Sequence, residues 1–161
     1  MIIIMGVSGC GKTTIGELLS KKSNLPFYDA DDFHPSSNIE KMKNNIALTD
    51  GDRKPWLELL SENIEQWELN GGAILACSAL KESYRQILSS KIKNINWVYL
   101  SGTFDEINAR LEKRNNHYMK STLLKSQFDT LEVPSYGIHI SITNSKENIV
   151  SIITSKLNLN E

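Results

Sequence analysis

The stretch "IIIMGVSGCGKTTIGELL", residues 2–19, constrains the fold more than any other part of the chain. Four apolar residues, Ile2 to Met5, run straight into glycine, as a fully buried strand does. From Lys12 the pattern becomes helical, with Ile15, Leu18 and Leu19 on one face and charge on the other. Between them, Gly6, Gly11, Lys12 and Thr13 match G-x-x-x-x-G-K-[ST]. Glycines let such a loop turn its amides inward around phosphate oxygens, and the following helix adds its positive N-terminal end. Gly6, Val7, Ser8, Gly9, Cys10, Gly11, Lys12, Thr13 and Thr14 are therefore the candidates for holding a nucleoside triphosphate. Lys12 is expected to reach the β- and γ-phosphates, and Thr13 to hold Mg²⁺.

A strand that hands over to a helix in this way belongs to an α/β domain, and the rest of the chain has the same rhythm. "LPFYD", "AILACSA", "INWVYLSG" and "GIHISIT" read as four more strands, most of them continuously apolar. Helices are expected over "NIEKMKNN", "RKPWLELLSENIEQWELNGG", Lys81 to Ser89, Phe104 to Arg114, Thr122 to Leu131, and a closing stretch marked by Ile149, Ile152, Ile153 and Leu157. Pro55 suits a first turn, and Trp56, Leu60, Ile64 and Trp67 form the apolar stripe that follows it. Alternating strands and helices imply a parallel sheet covered on both faces. With 161 residues and 40% apolar content, the chain suits one domain. The net charge of −1 gives no sign of a nucleic-acid partner. No apolar run approaches the roughly 20 residues that cross a bilayer, so no membrane partner is expected. "MIIIM" is too short for a signal peptide, and the 2 cysteines lack metal-ligand spacing, so a cytoplasmic location is expected.

Among nucleotide-binding chains, a signalling GTPase would carry N-K-x-D and D-x-x-G, and neither string occurs. A transport or motor ATPase carries an acidic residue at the end of a buried strand facing the cradle, and "AILACSA" ends without one. The acidic strand end is instead "FYDADD". Strand carboxyl ends converge on the ligand crevice in a doubly wound sheet, so Asp29 and Asp31 would face the terminal phosphate. One can order the Mg²⁺ shell, and the other can hold an acceptor hydroxyl and take its proton. Cations form a second set. Arg53 precedes a helix, Lys81 and Arg85 stand at i,i+4 on one helix face, and arginine forks match the carboxylate of an anionic acceptor. Arg110 and Arg114, also at i,i+4, precede the polar break Asn115-Asn116-His117, a natural place for a lid that neutralises the transferring phosphoryl group.

Five segments together resemble the short, bacterial-type gluconokinases, in the shikimate-kinase and nucleoside-kinase branch of P-loop folds. They are "GVSGCGKTT", "DADDFHPSSNIEKM", "LTDGDRKPWL", "ACSALKESYR" and "ARLEKRNNHYMKSTLLKSQFDTLEVP", in that order. The resemblance implies a three-layer P-loop fold with a five-stranded parallel sheet of order 2-3-1-4-5 and a small helical lid at about residues 112–124. It also implies ATP-dependent phosphorylation of D-gluconate to 6-phospho-D-gluconate with Mg²⁺, commonly by a homodimer. By motif, Lys12, Asp31, Arg110 and Arg114 become the catalytic set, with Asp31 facing the sugar hydroxyl. Arg53 and Arg85 fall in the acceptor pocket, His34 and Lys81 are further candidates there, and Asp29 is expected to serve the metal through water in place of direct ligation. The segments depart from the family at Ala30 and Asn45, where glycine is common; asparagine tolerates a left-handed backbone better than most residues. Two other readings remain open: a related kinase for another hydroxy acid or a nucleotide, and a non-catalytic ATP-binding regulator.

Overall fold

The structure, a computed structural model, describes residues 1–113 and 121–159. Its centre is β1 (Ile2–Met5), flanked in parallel by β3 (Ile74–Ala76) and β4 (Asn96–Ser101), with β2 (Phe27–Asp29) and β5 (Ile138–Ser141) outside them. The sheet order is β2-β3-β1-β4-β5. Buried on both faces, β1 shows why its sequence is continuously apolar. Side chains alternate across a strand, and here Ile2 and Ile4 enter one core while Ile3 and Met5 enter the other. The first core is closed by α1 (Lys12–Ser23), α5 (Phe104–Glu112), α6 (Ser121–Thr130) and α7 (Lys146–Leu157) through Ile15, Leu19, Ile107, Leu124 and Ile153. The second is closed by α3 (Asp50–Leu69) and α4 (Glu82–Leu88) through Leu57, Leu60, Ile64 and Leu88. The expected three-layer α/β architecture and strand order are thus present.

Boundaries differ from the sequence expectation where backbone chemistry intervenes. β2 begins at Phe27, after Pro26, whose nitrogen has no hydrogen for a ladder. After Asp29 the chain turns into a 3-10 segment, Ala30–Phe33, which periodicity does not reveal. α2 spans Ser36–Lys43 and ends before Asn45, whose φ of 56° is the left-handed geometry that glycine commonly supplies. Pro55 does not open α3. The helix starts at Asp50, because Thr49 accepts the Asp52 amide and Asp52 returns a carboxylate to the Thr49 amide, a complete capping box. Pro55 consequently lies inside the helix.

Candidate active site

The loop between β1 and α1 is held open by backbone that few side chains tolerate. Gly6, Gly9 and Gly11 have φ of 143°, 84° and 103°. A Cβ on Gly6 would sit 2.8 Å from Cys10 Sγ, and one on Gly9 would sit 2.8 Å from Leu111 on α5. The first amides of α1 have no intrahelical acceptor and project from its positive end. Lys12 folds back over the loop, its Nζ donating to the carbonyls of Gly6 at 2.9 Å and Val7 at 3.1 Å. Thr13 donates its hydroxyl to Asp29 Oδ2 at 2.9 Å, so the end of β2 meets the start of α1. The other oxygen of Asp29 accepts the Asp31 amide at 3.0 Å and caps the 3-10 segment. That tight turn, and not continued strand alternation, sets where Asp31 goes.

Asp31 stands beside this contact with its carboxyl tip open to solvent. Desolvation, then the Asp29 carboxylate, push its pKa up, against a lowering pull from Lys12. His34 Nε2 lies 3.9 Å from Asp31 Oδ1. Its ring stacks on Trp56 at 4.1 Å between centroids, and the Asn38 amide reaches Nδ1 at 3.3 Å. Trp56 itself donates to the Ala30 carbonyl at 2.8 Å. Burial and the nearby Arg53 lower the His34 pKa to about 4, so the imidazole is neutral at pH 7.

The cations divide. Arg53 on α3 donates to the Leu48 carbonyl at 2.6 Å and lies 5.6 Å from the Tyr84 ring centroid. Lys81, just before α4, pairs with Asp50 at 3.0 Å, and Tyr84 donates its hydroxyl to the same carboxylate at 2.5 Å. The Tyr84 bond, then Lys81, lower the Asp50 pKa. Arg53, Lys81, Tyr84 and Asp50 therefore form one cluster. Arg85 does not join it, which corrects the expectation that Lys81 and Arg85 share a face. Its side chain is 2% exposed, with the guanidinium bonded to the carbonyls of Ala79 at 2.7 Å and Glu132 at 2.8 Å and to Glu82 and Tyr136. It ties the wall of the crevice together and offers no free fork to a ligand. Arg110, on the helix that roofs Gly9, gives a guanidinium N–H to the Ile142 carbonyl. Arg114 and most of the expected lid lie outside the described residues.

Three residues in this arrangement escaped the sequence reading. Asp50 is signalled in the sequence only as the first helical residue after the Thr49 cap of the Thr49–Asp52 box. Tyr84 sits inside "ALKESYR" but carries no charge to draw attention. Gln127 on α6 accepts the Ser8 amide at 2.7 Å and donates to the Ser8 hydroxyl at 3.1 Å, a contact across 119 residues that no local pattern signals.

A phosphate cradle at the end of the central parallel strand, with a Thr–Asp contact and a second, perturbed carboxyl beside it, defines a P-loop kinase of small molecules. Comparison with known proteins narrows the class. The shikimate kinase family matches residues 8–156. The gluconokinase of Arabidopsis thaliana is 43% identical over 95% of this chain and 89% of its own length. Among solved structures, a gluconokinase from Sinorhizobium meliloti 1021 superposes with a TM-score of 0.86 at 33% identity, covering 99% of this chain and 96% of its own. A sugar kinase from Janibacter sp. HTCC2649 gives 0.92 at 36% identity, covering 98% and 94%. The chain belongs to the gluconokinase family, within the wider shikimate kinase group of P-loop kinases.

Proposed function

We propose that the protein is a gluconokinase, transferring the γ-phosphoryl group of ATP to the 6-hydroxyl of D-gluconate. The observation that carries the mechanism is the adjacency of Lys12, the Thr13–Asp29 contact and the raised carboxyl of Asp31 at one end of the sheet. The Thr13 hydroxyl and Asp29 carboxylate, 2.9 Å apart, are oxygen donors of the kind that suit Mg²⁺, with Asp29 acting through water. When bound, Mg²⁺ neutralises charge on the β- and γ-phosphate oxygens. Lys12 exchanges its two carbonyl partners for phosphate oxygens as the nucleotide enters. Asp31 accepts a hydrogen bond from the 6-hydroxyl and receives its proton as the new P–O bond forms. Its raised pKa favours that transfer over a fully solvated carboxylate. Neutral His34 lies 3.9 Å from the Asp31 carboxylate and adds no positive charge beside it.

At the far end of the acceptor, Arg53 and Lys81 hold the gluconate carboxylate, and Asp50 and Tyr84 are poised to exchange their mutual bonds for its hydroxyls. Arg110, with Arg114, serves the transferring phosphoryl group. The homodimer implied by the family resemblance and the cytoplasmic location expected from the sequence belong to the same proposal; no helix among the described residues is long and apolar enough to cross a membrane.

The test is formation of 6-phosphogluconate from purified protein, Mg-ATP and D-gluconate, read as NADPH produced by 6-phosphogluconate dehydrogenase. Gluconate-dependent signal is expected, and it should vanish in Lys12→Ala. Silence from a protein that still binds ATP would overturn the assignment of acceptor.

A further inference from the structure

We infer that Gln127 is a positioning residue for the phosphate cradle, acting through both polar groups of Ser8. A loop built on Gly6, Gly9 and Gly11 has little conformational preference of its own, so its binding-ready shape must be imposed from outside. The sheet side does part of this, with the Gly6 amide donating to the Ser78 carbonyl at 3.3 Å. On the opposite side Leu111 and Ile107 pack against Gly9. Neither contact fixes the Ser8 peptide, which lies between them. The Gln127 amide does: its Oε1 takes the Ser8 N–H at 2.7 Å and its Nε2 gives to the Ser8 hydroxyl at 3.1 Å.

The amide is itself held on a fixed support. Leu124 is fully buried, and Phe128 packs edge-on against Phe104 at 5.9 Å. Immediately after α6, Glu132 bonds through its amide to the Leu80 carbonyl at 2.8 Å and through its carboxylate to the Glu82 amide at 2.7 Å. Arg85 closes this junction from the other side. Thus α6 is clamped to the wall between β3 and α4, and Gln127 carries that anchorage to the cradle. Ser8 lies two residues beyond the start of the glycine loop, so a rotated Ser8 peptide would re-aim the amides of Gly9 to Lys12 that follow it. Gln127 needs no contact with the nucleotide to affect its binding.

This inference rests on the cradle holding ATP, so the primary readout is direct nucleotide binding and is independent of any acceptor. Mg-ATP dissociation constants would be measured by calorimetry for wild type, Gln127→Ala, Ser8→Ala and the double variant, with melting temperatures alongside. Two hydrogen bonds are lost in Gln127→Ala and one in Ser8→Ala, so ATP binding should weaken about tenfold and about threefold respectively. The double variant should match Gln127→Ala alone, since no Ser8 hydroxyl bond remains to be removed. In turnover assays the KM for ATP should rise while that for gluconate stays within about twofold. Gln127→Glu provides the conservative control: its carboxylate can accept from both the Ser8 N–H and O–H and should restore the melting temperature, while its charge near the triphosphate keeps ATP binding weak. Multiplicative losses in the double variant, or a Gln127→Ala protein that melts lower yet binds ATP normally, would overturn the inference. ATP binding that persists without gluconate turnover would instead refute only the proposed acceptor.

Discussion

Asp31 is asked to be a base, and its surroundings charge the fold for that. A carboxyl whose folded pKa is raised binds protons more readily in the native state than in the unfolded one. It therefore subtracts stability as pH rises from the unfolded value of 3.8 through the folded pKa, and the loss is complete above it. Asp31→Asn removes that burden together with the proton acceptor. The expected outcome is a turnover number about 10²- to 10⁴-fold lower, with ATP affinity little changed and a melting temperature at pH 7 equal to or above wild type. Steady-state kinetics and calorimetry on one preparation check all three. Turnover within a few-fold of wild type would remove Asp31 from the proton path. Arg53 makes a contrasting case. It is bonded to the Leu48 carbonyl and lies at the Tyr84 face, with donors left for a substrate. Losing a charge-assisted bond costs about 1.5–3 kcal/mol, so Arg53→Ala should raise the KM for gluconate by about ten- to a hundredfold. The KM for ATP should barely move, and equal changes in both would place Arg53 elsewhere.

At the scale of elements, what the sequence disclosed depended on whether the deciding partner was local. β1 ends and α1 begins where their residues say, because an apolar run stops at Gly6 and the motif itself forces the helix to start at Lys12. Asp29 was legible as a strand end, and its contact with Thr13 follows from parallel topology. The start of α3 is set by the Thr49–Asp52 capping box, a local signal that competes in the sequence with the more conspicuous Pro55. Arg85 was out of reach altogether. Its spacing from Lys81 gives a helix face, but beside the local Ala79 and Glu82 the groups that consume it come from Glu132 and Tyr136, 47 and 51 residues away. Gly16 tests the same idea in α1, where helix propensity alone would favour alanine by about 1 kcal/mol. Across the helix, however, a Cβ there would lie 2.2 Å from the Phe27 ring at the start of β2. Overpacking of that kind costs about 1–3 kcal/mol, so Gly16→Ala should be destabilising on balance. A melting temperature at or above wild type would show that Phe27 can swing away freely.

At the scale of the whole molecule, the acceptor side is held by polar groups that bind several elements at once, and acid should release them in order. His34 joins the 3-10 segment, α2 and α3 through its stack on Trp56 and its bond from Asn38, which also donates to the Asp52 carbonyl at 3.0 Å. Its pKa falls from 6.5 unfolded to about 4 folded, because burial and Arg53 penalise the charged ring. Between those values the unfolded chain binds the extra proton, so the stabilisation is complete above 6.5 and is lost as pH falls towards 4. With the ring almost wholly covered, the loss is on the order of 1–3 kcal/mol. Asp52 follows. Lys41 and then the Thr49 amide and hydroxyl lower its pKa from 3.8 to about 2, so its contribution holds above 3.8 and drains away below. Urea midpoints should therefore decline first between pH 6.5 and 4, and again at lower pH. His34→Gln keeps an amide beside Asn38 and removes the titrating ring, so it should flatten the first decline and leave the second. An unchanged first decline would place the titrating group elsewhere. Closure of the acceptor side would then rest on contacts other than the His34 stack.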